Sequence, residues 1–329
     1  MKYRLQIGLA IFLLGLLTSQ ANAAPTLLEE SRTCFIGPFE NYEKWFAMLE
    51  IKKKNFNKET FTKRFSKEHF DDVKRNIECR NFKYKVDGLT IEGYYLKPKN
   101  QLTQKLPVII YNRGGNAAYG YVLFGKKISF LADIAKEGFI IIGSQYRGSS
   151  RYIKNNGADE FGGADVRDVI KLMDIIKEIP EADANRVGML GWSRGSMQSY
   201  LAAKNIPSLK AIVAIAGNVD AKKALLWRPA MEKVYKKRIP SFAENKKQSL
   251  EKRSVIYWIE KLPSNIPILL LHGDKDKRVN VDQSIQFAEA LTVRNHPHKL
   301  IIYPDGNHRL SKYRLTLKTA IVTWFRQYI

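Results

Sequence analysis

The segment of this 329-residue chain with the clearest chemical potential is residues 191–195, Gly-Trp-Ser-Arg-Gly, which has the pattern G-x-S-x-G. An apolar run at 186–190 precedes it, and residues 196–203 have helical propensity and period. A strand, a tight turn and a helix would push the serine hydroxyl out of the fold at a helix N-terminus. There a neighbouring base could deprotonate it, and backbone N–H groups could stabilise the charge that develops. The context therefore predicts Ser193 as a nucleophile.

A serine nucleophile needs a base, and the base needs an acid that orients it. Two later apolar runs, 268–271 and 300–304, predict strands. The loop after the first contains Asp274 and Asp276, and the loop after the second contains His308. The order Ser, Asp, His, with each residue after a strand, is that of α/β-hydrolases. We therefore expect these side chains at one edge of a sheet, with a closing helix over the C-terminal residues.

From about residue 82 to the C-terminus, the chain resembles the catalytic domain of the prolyl oligopeptidase family of serine peptidases, within the α/β-hydrolase superfamily. Besides the G-x-S-x-G motif, four blocks carry the resemblance: KVDGLTIEGYYLKP at 85–98, YRGSS at 146–150, FGGADVRDV at 161–169 and RSV at 253–255. In the second block Gln145 stands where the family has asparagine. The resemblance implies an α/β fold with a mostly parallel central sheet flanked by helices. It implies no cofactor and no metal.

The resemblance also assigns the acid and the base. The family's acid precedes x-R-V after H-G-x-x, which places it on Asp276 and leaves Asp274 as the competitor. The family's histidine falls on His308. His272 is expected to shape the turn before the acid. The remaining histidines are expected to be structural or surface residues, and these are His69, His296 and His298.

The oxyanion hole is expected to consist of two backbone N–H groups. One is that of Arg194, directly after the nucleophile, and the other comes from the loop after the predicted strand 107–111. That loop resembles the family's H-G-G-P, with Arg113 and Asn116 in place of the histidine and the proline, and this similarity favours Gly115. In part of the family a tyrosine hydroxyl serves instead, which makes Tyr111 the alternative donor.

Residues 1–23 have the pattern of a secretory signal peptide. Lys2 and Arg4 precede an apolar core of 11 residues at 7–17, and Ala-Asn-Ala at 21–23 fits a small-residue cleavage site. A core of this length is short for a transmembrane span. We therefore expect export to a periplasm or to the medium, with a mature chain that begins at Ala24 and has no transmembrane anchor.

Residues 24–81 predict a helical N-terminal extension ahead of the catalytic domain at 82–329. Residues 42–50 are amphipathic, and four phenylalanines recur near helical period, at 56, 61, 65 and 70. We expect the extension to pack these aromatic rings on the catalytic domain, and a lid over the active site is the alternative. The two cysteines of the chain, Cys34 and Cys79, both lie in this extension. After export we expect them to form a disulfide, the alternative being two buried free thiols.

A second helical segment, 221–262, resembles the cap that superfamily members insert before the acid strand. Its large aromatic residues are expected to pack the cap, and the alternative is an acyl pocket; they are Trp227, Tyr235, Phe242 and Trp258. The sequence shows no blade-length repeat, so we expect no propeller and no propeller-based filtering of substrates by size. For the same reason, we do not expect the family's specificity for proline to apply to this chain.

The chain has a formal net charge of +23, and loss of Lys2 and Arg4 with the signal peptide leaves +21. Such an excess attracts anionic surfaces, glycans or nucleic acid. No nucleic-acid-binding motif is present, so we expect a generally basic, solvated surface and no specific nucleic acid partner. Contact with an anionic surface or glycan is the alternative.

These features predict an exported serine hydrolase that acts through an acyl-enzyme. The first hypothesis is a peptidase that cleaves short peptides. The second is a carboxylesterase on small or acylated-sugar esters, because the same triad serves both reactions. The third is a non-catalytic basic binding protein with a vestigial site, against which the complete triad argues.

Overall fold

The computed structural model describes residues 26–100 and 104–329, so the predicted signal peptide lies outside the described residues. Nine strands form one sheet in the order β1-β2-β3-β5-β4-β6-β7-β8-β9. The strands are β1 (Glu29–Thr33), β2 (Ile77–Val86), β3 (Leu89–Pro98), β4 (Leu106–Asn112), β5 (Ile140–Ser144), β6 (Ala182–Trp192), β7 (Ala211–Ile215), β8 (Ile268–Gly273) and β9 (His298–Tyr303).

The sheet has an antiparallel edge and a parallel remainder. The strands β5, β4, β6, β7, β8 and β9 run parallel, whereas β1, β2 and β3 pair antiparallel with their neighbours. β5 and β7 are buried along their whole length because helices cover both faces of the sheet. The predicted α/β architecture, a mostly parallel sheet flanked by helices, is therefore confirmed.

The helices divide between the two faces. One face carries the N-terminal, the central and the last helices, namely α1 (Tyr42–Lys52), α2 (Lys58–Arg64), α3 (Lys67–Asn76), α4 (Phe124–Lys126), a π-helical turn (Lys127–Leu131), α5 (Ala132–Ala135) and α13 (Arg314–Tyr328). The other face carries α6 (Asp165–Ile170), α7 (Leu172–Ile176), α8 (Arg194–Ala203), α9 (Ala221–Trp227), α10 (Met231–Arg238), α11 (Lys246–Lys252) and α12 (Asp282–Val293). Each face buries its own apolar core against the sheet. No helix in the two described ranges combines the length and the hydropathy of a membrane span.

The N-terminal region contains the expected helices and also a strand that the sequence does not predict. β1 pairs antiparallel with β2, with Thr33 opposite Arg80, and so extends the sheet. Its sequence, EESRT, has no apolar residue, which is why the hydrophobic pattern gives no sign of a strand. Cys34 follows β1, and a disulfide joins it to Cys79 in β2 with a Cα–Cα distance of 5.3 Å.

Aromatic rings attach the extension to the catalytic domain, as expected. The Trp45 ring lies 4.9 Å from the rings of Phe61 and Phe65, measured between centroids. It also lies 5.0 Å from the ring of Phe124, which begins α4. Edge-on pairs at these distances add to the free energy gained by burying the rings.

The cap-like segment packs most of its aromatic residues inward. Tyr235, Phe242 and Trp258 are buried, and the Tyr235 ring lies 5.2 Å from that of Phe161. Trp227 does not follow the expectation, because 50% of its surface is exposed at the end of α9. It is also absent from the lining of the cavity that contains Ser193 and His308.

The disulfide closes a loop of 45 residues around α1–α3. Replacing both cysteines by serine should lower the free energy of unfolding by about 2–4 kcal/mol, because the unfolded chain then gains entropy. Urea unfolding of the oxidised wild type and of the double serine variant measures this change, and reduction of the wild type should produce a similar loss. Since the chain has 2 cysteines, a reductant should have no effect on the Cys34→Ser/Cys79→Ser variant. Equal stability of the oxidised and reduced wild type would contradict the prediction.

Candidate active site

Ser193 lies in a tight turn between β6 and α8. Its backbone has φ 57° and ψ −122°, a conformation that non-glycine residues rarely adopt. A Cβ atom at Gly191 would lie 2.5 Å from the Gly195 oxygen, and one at Gly195 would lie 1.9 Å from the Asn112 oxygen. The two glycines of the motif therefore let the helix approach the strand so closely that the serine projects outward.

Asp276 and His308 follow the neighbouring parallel strands β8 and β9, and their side chains meet. His308 Nδ1 lies 2.7 Å from Asp276 Oδ2. The other oxygen, Oδ1, accepts hydrogen bonds from the backbone N–H of Arg278 at 2.7 Å and of Val279 at 3.1 Å. Asp274, the competing acid, is exposed. The geometry thus pairs the histidine with Asp276.

The buried ring of His272 contacts the same carboxylate. Its Nε2 lies 3.1 Å from the Val279 carbonyl oxygen and 3.3 Å from Asp276 Oδ2, while Nδ1 lies 2.7 Å from Ser284 Oγ. Two acceptors at Nε2 fix the proton there, so Nδ1 accepts from the Ser284 hydroxyl. Burial alone would raise the pKa of Asp276, but the hydrogen bonds from His272, His308 and the backbone hold it well below its usual value. Asp276 is therefore ionised at neutral pH.

Ser193 and His308 line one cavity of ≈ 2100 Å³. Trp192 links the turn that carries Ser193 to the loop that carries His308, since its Nε1 donates a hydrogen bond of 3.1 Å to the His308 carbonyl oxygen. Within the described ranges no hydrogen bond joins Ser193 Oγ to the His308 ring. Hydrogen bonds between a nucleophile and its base commonly shorten only when substrate binds. The arrangement therefore places Ser193, the predicted nucleophile, and His308, the predicted base, at one opening.

The two expected oxyanion donors lie on either side of Ser193. Arg194 begins α8, and the Gly114–Gly115 loop is so close that a Cβ at Gly114 would lie 3.2 Å from Ser193 Cβ. Neither the Arg194 nor the Gly115 N–H donates a hydrogen bond to another residue of the described chain. Tyr111 lines the same cavity, and burial raises the pKa of its phenol. Its hydroxyl makes no hydrogen bond within the described ranges.

The Arg194 side chain has a role that the sequence did not indicate. Its guanidinium makes a bidentate contact with Asp159, at 2.7 and 2.8 Å, and a further one of 2.6 Å with Asp165. It also donates to the Gly115 carbonyl oxygen at 3.0 Å. Asp159 in turn accepts from the backbone N–H of Ala117. The residue that carries one expected oxyanion donor thus fixes the loop that carries the other.

Arg113, which replaces the family's histidine, stabilises the same loop by binding its carbonyl oxygens. Only 1% of its surface is exposed, and its guanidinium donates to four carbonyl oxygens. They belong to Gly114, Ala117, Tyr119 and Gln145. Gln145 also holds both backbone groups of Val122 with its side-chain amide. The two departures from the family pattern at 113 and 145 are therefore in contact with each other.

A family model described as "Prolyl oligopeptidase family" matches residues 124–329. The chain is similar to the uncharacterized peptidase YtmA of Bacillus subtilis, with 24% identity over 243 residues, which cover 74% of this chain and 90% of YtmA. It is similar to Dipeptidyl-peptidase 5 of Porphyromonas gingivalis, with 26% identity over 244 residues, which cover 70% of this chain but 34% of that protein.

Among solved structures, the acylaminoacyl peptidase of Pyrococcus horikoshii has the same fold. It superposes with a TM-score of 0.66 at 22% identity, over 83% of this chain and 44% of that one. The chain therefore spans nearly the whole of one relative, but less than half of the length of this peptidase and of Dipeptidyl-peptidase 5.

The ion pair between Arg194 and Asp159 predicts acid sensitivity. Burial alone would raise the pKa of Asp159, but Arg194 and two backbone N–H groups lower it to about 2. Its ionisation therefore stabilises the fold above the ordinary carboxylate pKa, and this stabilisation is lost as the pH falls towards 2. Between about pH 5 and about pH 2.5, the wild type should lose roughly 1–2 kcal/mol more unfolding free energy than Asp159→Asn.

Urea unfolding at both pH values measures that difference. The exposed Asp274→Asn variant is the matched control, and it should keep the pH dependence of the wild type. If Asp159→Asn and the wild type lose the same free energy, the pair does not carry the acid sensitivity.

Proposed function

The chain belongs to the prolyl oligopeptidase family and is a serine hydrolase, and from this premise we propose an exported peptidase of short peptides with the triad Ser193, Asp276 and His308. The observation that carries the proposal is the 2.7 Å contact between His308 Nδ1 and Asp276 Oδ2 beside the strained turn of Ser193. A carboxylate on Nδ1 leaves Nε2 as the basic nitrogen that faces the nucleophile.

In the proposed reaction, His308 Nε2 takes the hydroxyl proton of Ser193 as Oγ attacks the peptide carbonyl carbon. The tetrahedral oxyanion accepts hydrogen bonds from the Arg194 and Gly115 N–H groups, each worth about 2.7–4 kcal/mol. The C–N bond then breaks, and His308 gives its proton to the leaving amine. Water repeats these steps on the acyl-enzyme and releases the acid. Asp276 stabilises the imidazolium in each half-reaction.

One observation favours a peptidase over the esterase alternative. The relatives that the chain is similar to carry peptidase names, and one of them, YtmA, matches over 90% of its own length. The cavity of ≈ 2100 Å³ has room for a peptide and also for a smaller ester. A serine esterase uses the same triad, so substrate comparison is the deciding test.

The first test replaces the triad. Ser193→Ala and His308→Ala should each lower kcat for a short chromogenic peptide by about a million-fold, because they remove the nucleophile and the base. Asp276→Asn should lower kcat by about 10⁴-fold, because it removes the carboxylate that orients the imidazole and stabilises the imidazolium. A fluorophosphonate probe should label the wild type and not Ser193→Ala. Hydrolysis of p-nitrophenyl acetate with no hydrolysis of any peptide would support the esterase instead.

Asp274→Asn is the matched control for the acid. It removes an exposed carboxylate two residues from Asp276, with no partner in the site. Its kcat should equal that of the wild type. A loss as large as that of Asp276→Asn would reverse the assignment of the acid.

Export rests on the sequence pattern of residues 1–23 and is consistent with the disulfide, since disulfides persist in oxidising compartments. When the full chain is expressed in a bacterial host, we expect it outside the cytoplasm with Ala24 at its N-terminus, as read by N-terminal sequencing. A variant without residues 2–23 should stay in the cytoplasm. Recovery of the uncleaved full chain from the cytoplasm would refute the proposal.

A further inference from the structure

Four neighbouring cations that line the same cavity as Ser193 have no carboxylate partner in the part of the chain that the structure describes. They are Arg64 at the end of α2, Lys126 at the end of α4, Arg309 after β9 and Arg314 at the start of α13, and together they form the basic cluster. Some other cations on the cavity wall are neutralised, for example Arg194 by two aspartates and Lys318 by Glu137 at 2.8 Å. Others, such as Arg228 and Arg278, also line the cavity without an ion pair among the described residues. The basic cluster differs from these because its four charges lie close enough to act on one another. Within the described ranges no acidic oxygen lies within 4.0 Å of any cation of the basic cluster.

The basic cluster lies beside the reacting groups. Lys126 Nζ is 3.9 Å from the ring centroid of Phe130 and 4.2 Å from that of Trp192. Trp192 directly precedes Ser193 and holds the His308 carbonyl oxygen. Arg309 directly follows His308. A substrate group that reached the basic cluster would therefore remain within a few ångströms of the residues around the nucleophile.

The electrostatics of the basic cluster are unfavourable without an anion. Burial, and then the positive charges of Arg64, Arg314 and Arg309, lower the pKa of Lys126 to about 7. Three acids also line the cavity, and each has another partner: Glu30 binds Lys83, Asp133 faces His69 at 3.3 Å, and Glu92 lies beside the Tyr121 hydroxyl. Side chains that repel one another around an open site attract an anionic ligand strongly.

We infer that the basic cluster binds a carboxylate of the substrate, so that the enzyme prefers acidic short peptides to their neutral counterparts. This inference rests on the proposed peptidase function and adds the substrate class. Arginine is suited to the task because its planar fork can bind both oxygens of a carboxylate. A carboxylate can come from an aspartate or glutamate side chain or from the peptide's C-terminus, and both present the same chemistry.

The N-terminal extension contributes to this recognition. The family model begins at residue 124, so Arg64 lies outside the matched segment, whereas the other three cations lie within it. Arg64 is held over the Phe65 ring, with its Cζ 5.1 Å from the centroid, and Phe65 packs on Trp45. The aromatic core of the extension thus places a cation at the rim of the catalytic cavity.

Matched fluorogenic peptides test the inference. In the first set, all peptides have an amidated C-terminus, and peptides with Glu on either side of the scissile bond are compared with the same peptides carrying Gln. In the second set, the side chains are neutral, and a peptide with a free C-terminus is compared with the same peptide amidated. We expect kcat/KM for at least one anionic peptide to exceed that of its neutral partner by roughly tenfold at low ionic strength, and the ratio to approach one in about 0.5 M NaCl. The set that shows the preference identifies the source of the carboxylate.

Variants connect the preference to the basic cluster. Arg64 and Arg309 are exposed, so Arg64→Gln/Arg309→Gln should leave the fold intact and reduce the anionic-to-neutral ratio by roughly fivefold. Arg75→Gln is the matched control, since Arg75 is an exposed cation of α3 in the same extension and does not line the cavity. It should keep the wild-type ratio.

Calorimetric binding to Ser193→Ala separates the inference from the proposed function. Tighter binding of an anionic peptide than of its neutral partner supports the inference, even if the wild type cleaves neither peptide, in which case the proposed function alone fails. Equal binding of both partners overturns the inference. An unchanged ratio in Arg64→Gln/Arg309→Gln also overturns it.

Discussion

The site depends on one geometric constraint, which is that neighbouring parallel strands end at the same edge of the sheet. Residues 272 and 273 of β8 lie opposite 302 and 303 of β9. Beyond that register, the two loops touch so closely that a Cβ at Gly273 would lie 2.2 Å from the Gly306 oxygen. Asp276 and His308 follow these contact points by three and two residues, so their 2.7 Å contact is a consequence of strand pairing and close loop packing. A side chain at either glycine would separate Asp276 from His308.

Positive charge serves two purposes around this edge. The guanidinium groups of Arg113 and Arg194 are buried, and carbonyl or carboxylate oxygens satisfy them, so they act as fixed supports for the Gly114–Gly115 loop. Leaving either group buried without its partners would cost several kcal/mol, which is why each has a nearly complete set of acceptors. The cations of the basic cluster have no carboxylate acceptor among the described residues and line the cavity, and of the four Arg314 alone donates to a carbonyl oxygen there, that of Ser129. The first group positions the loop that carries Gly115, one of the proposed oxyanion donors, whereas the second leaves charge available to a ligand.

The sequence predicts those parts of the site that depend on local pattern. Strands β6, β8 and β9 are apolar runs followed by Ser193, Asp276 and His308, and the order of those residues is informative without any coordinates. β1 escapes prediction because it is polar and owes its existence to pairing with β2. The contact of Arg194 with Asp159, 35 residues away along the chain, follows from the tertiary fold and from no periodicity.

The sequence does not predict the basic cluster, for the same reason that it does not predict the contact of Arg194 with Asp159. Arg64 and Lys126 come from separate helices, and each looks like one more cation on a basic chain. Their role depends on where the fold places them, and the extension determines the position of Arg64. Trp45 packs on Phe124 of the catalytic domain, and the bond from Cys34 to Cys79 ties the chain ahead of α1 to strand β2, so α1–α3 are held against the sheet at two places. A segment attached in this way forms a wall of the cavity, so its side chains can contribute to recognition through what they present at the rim.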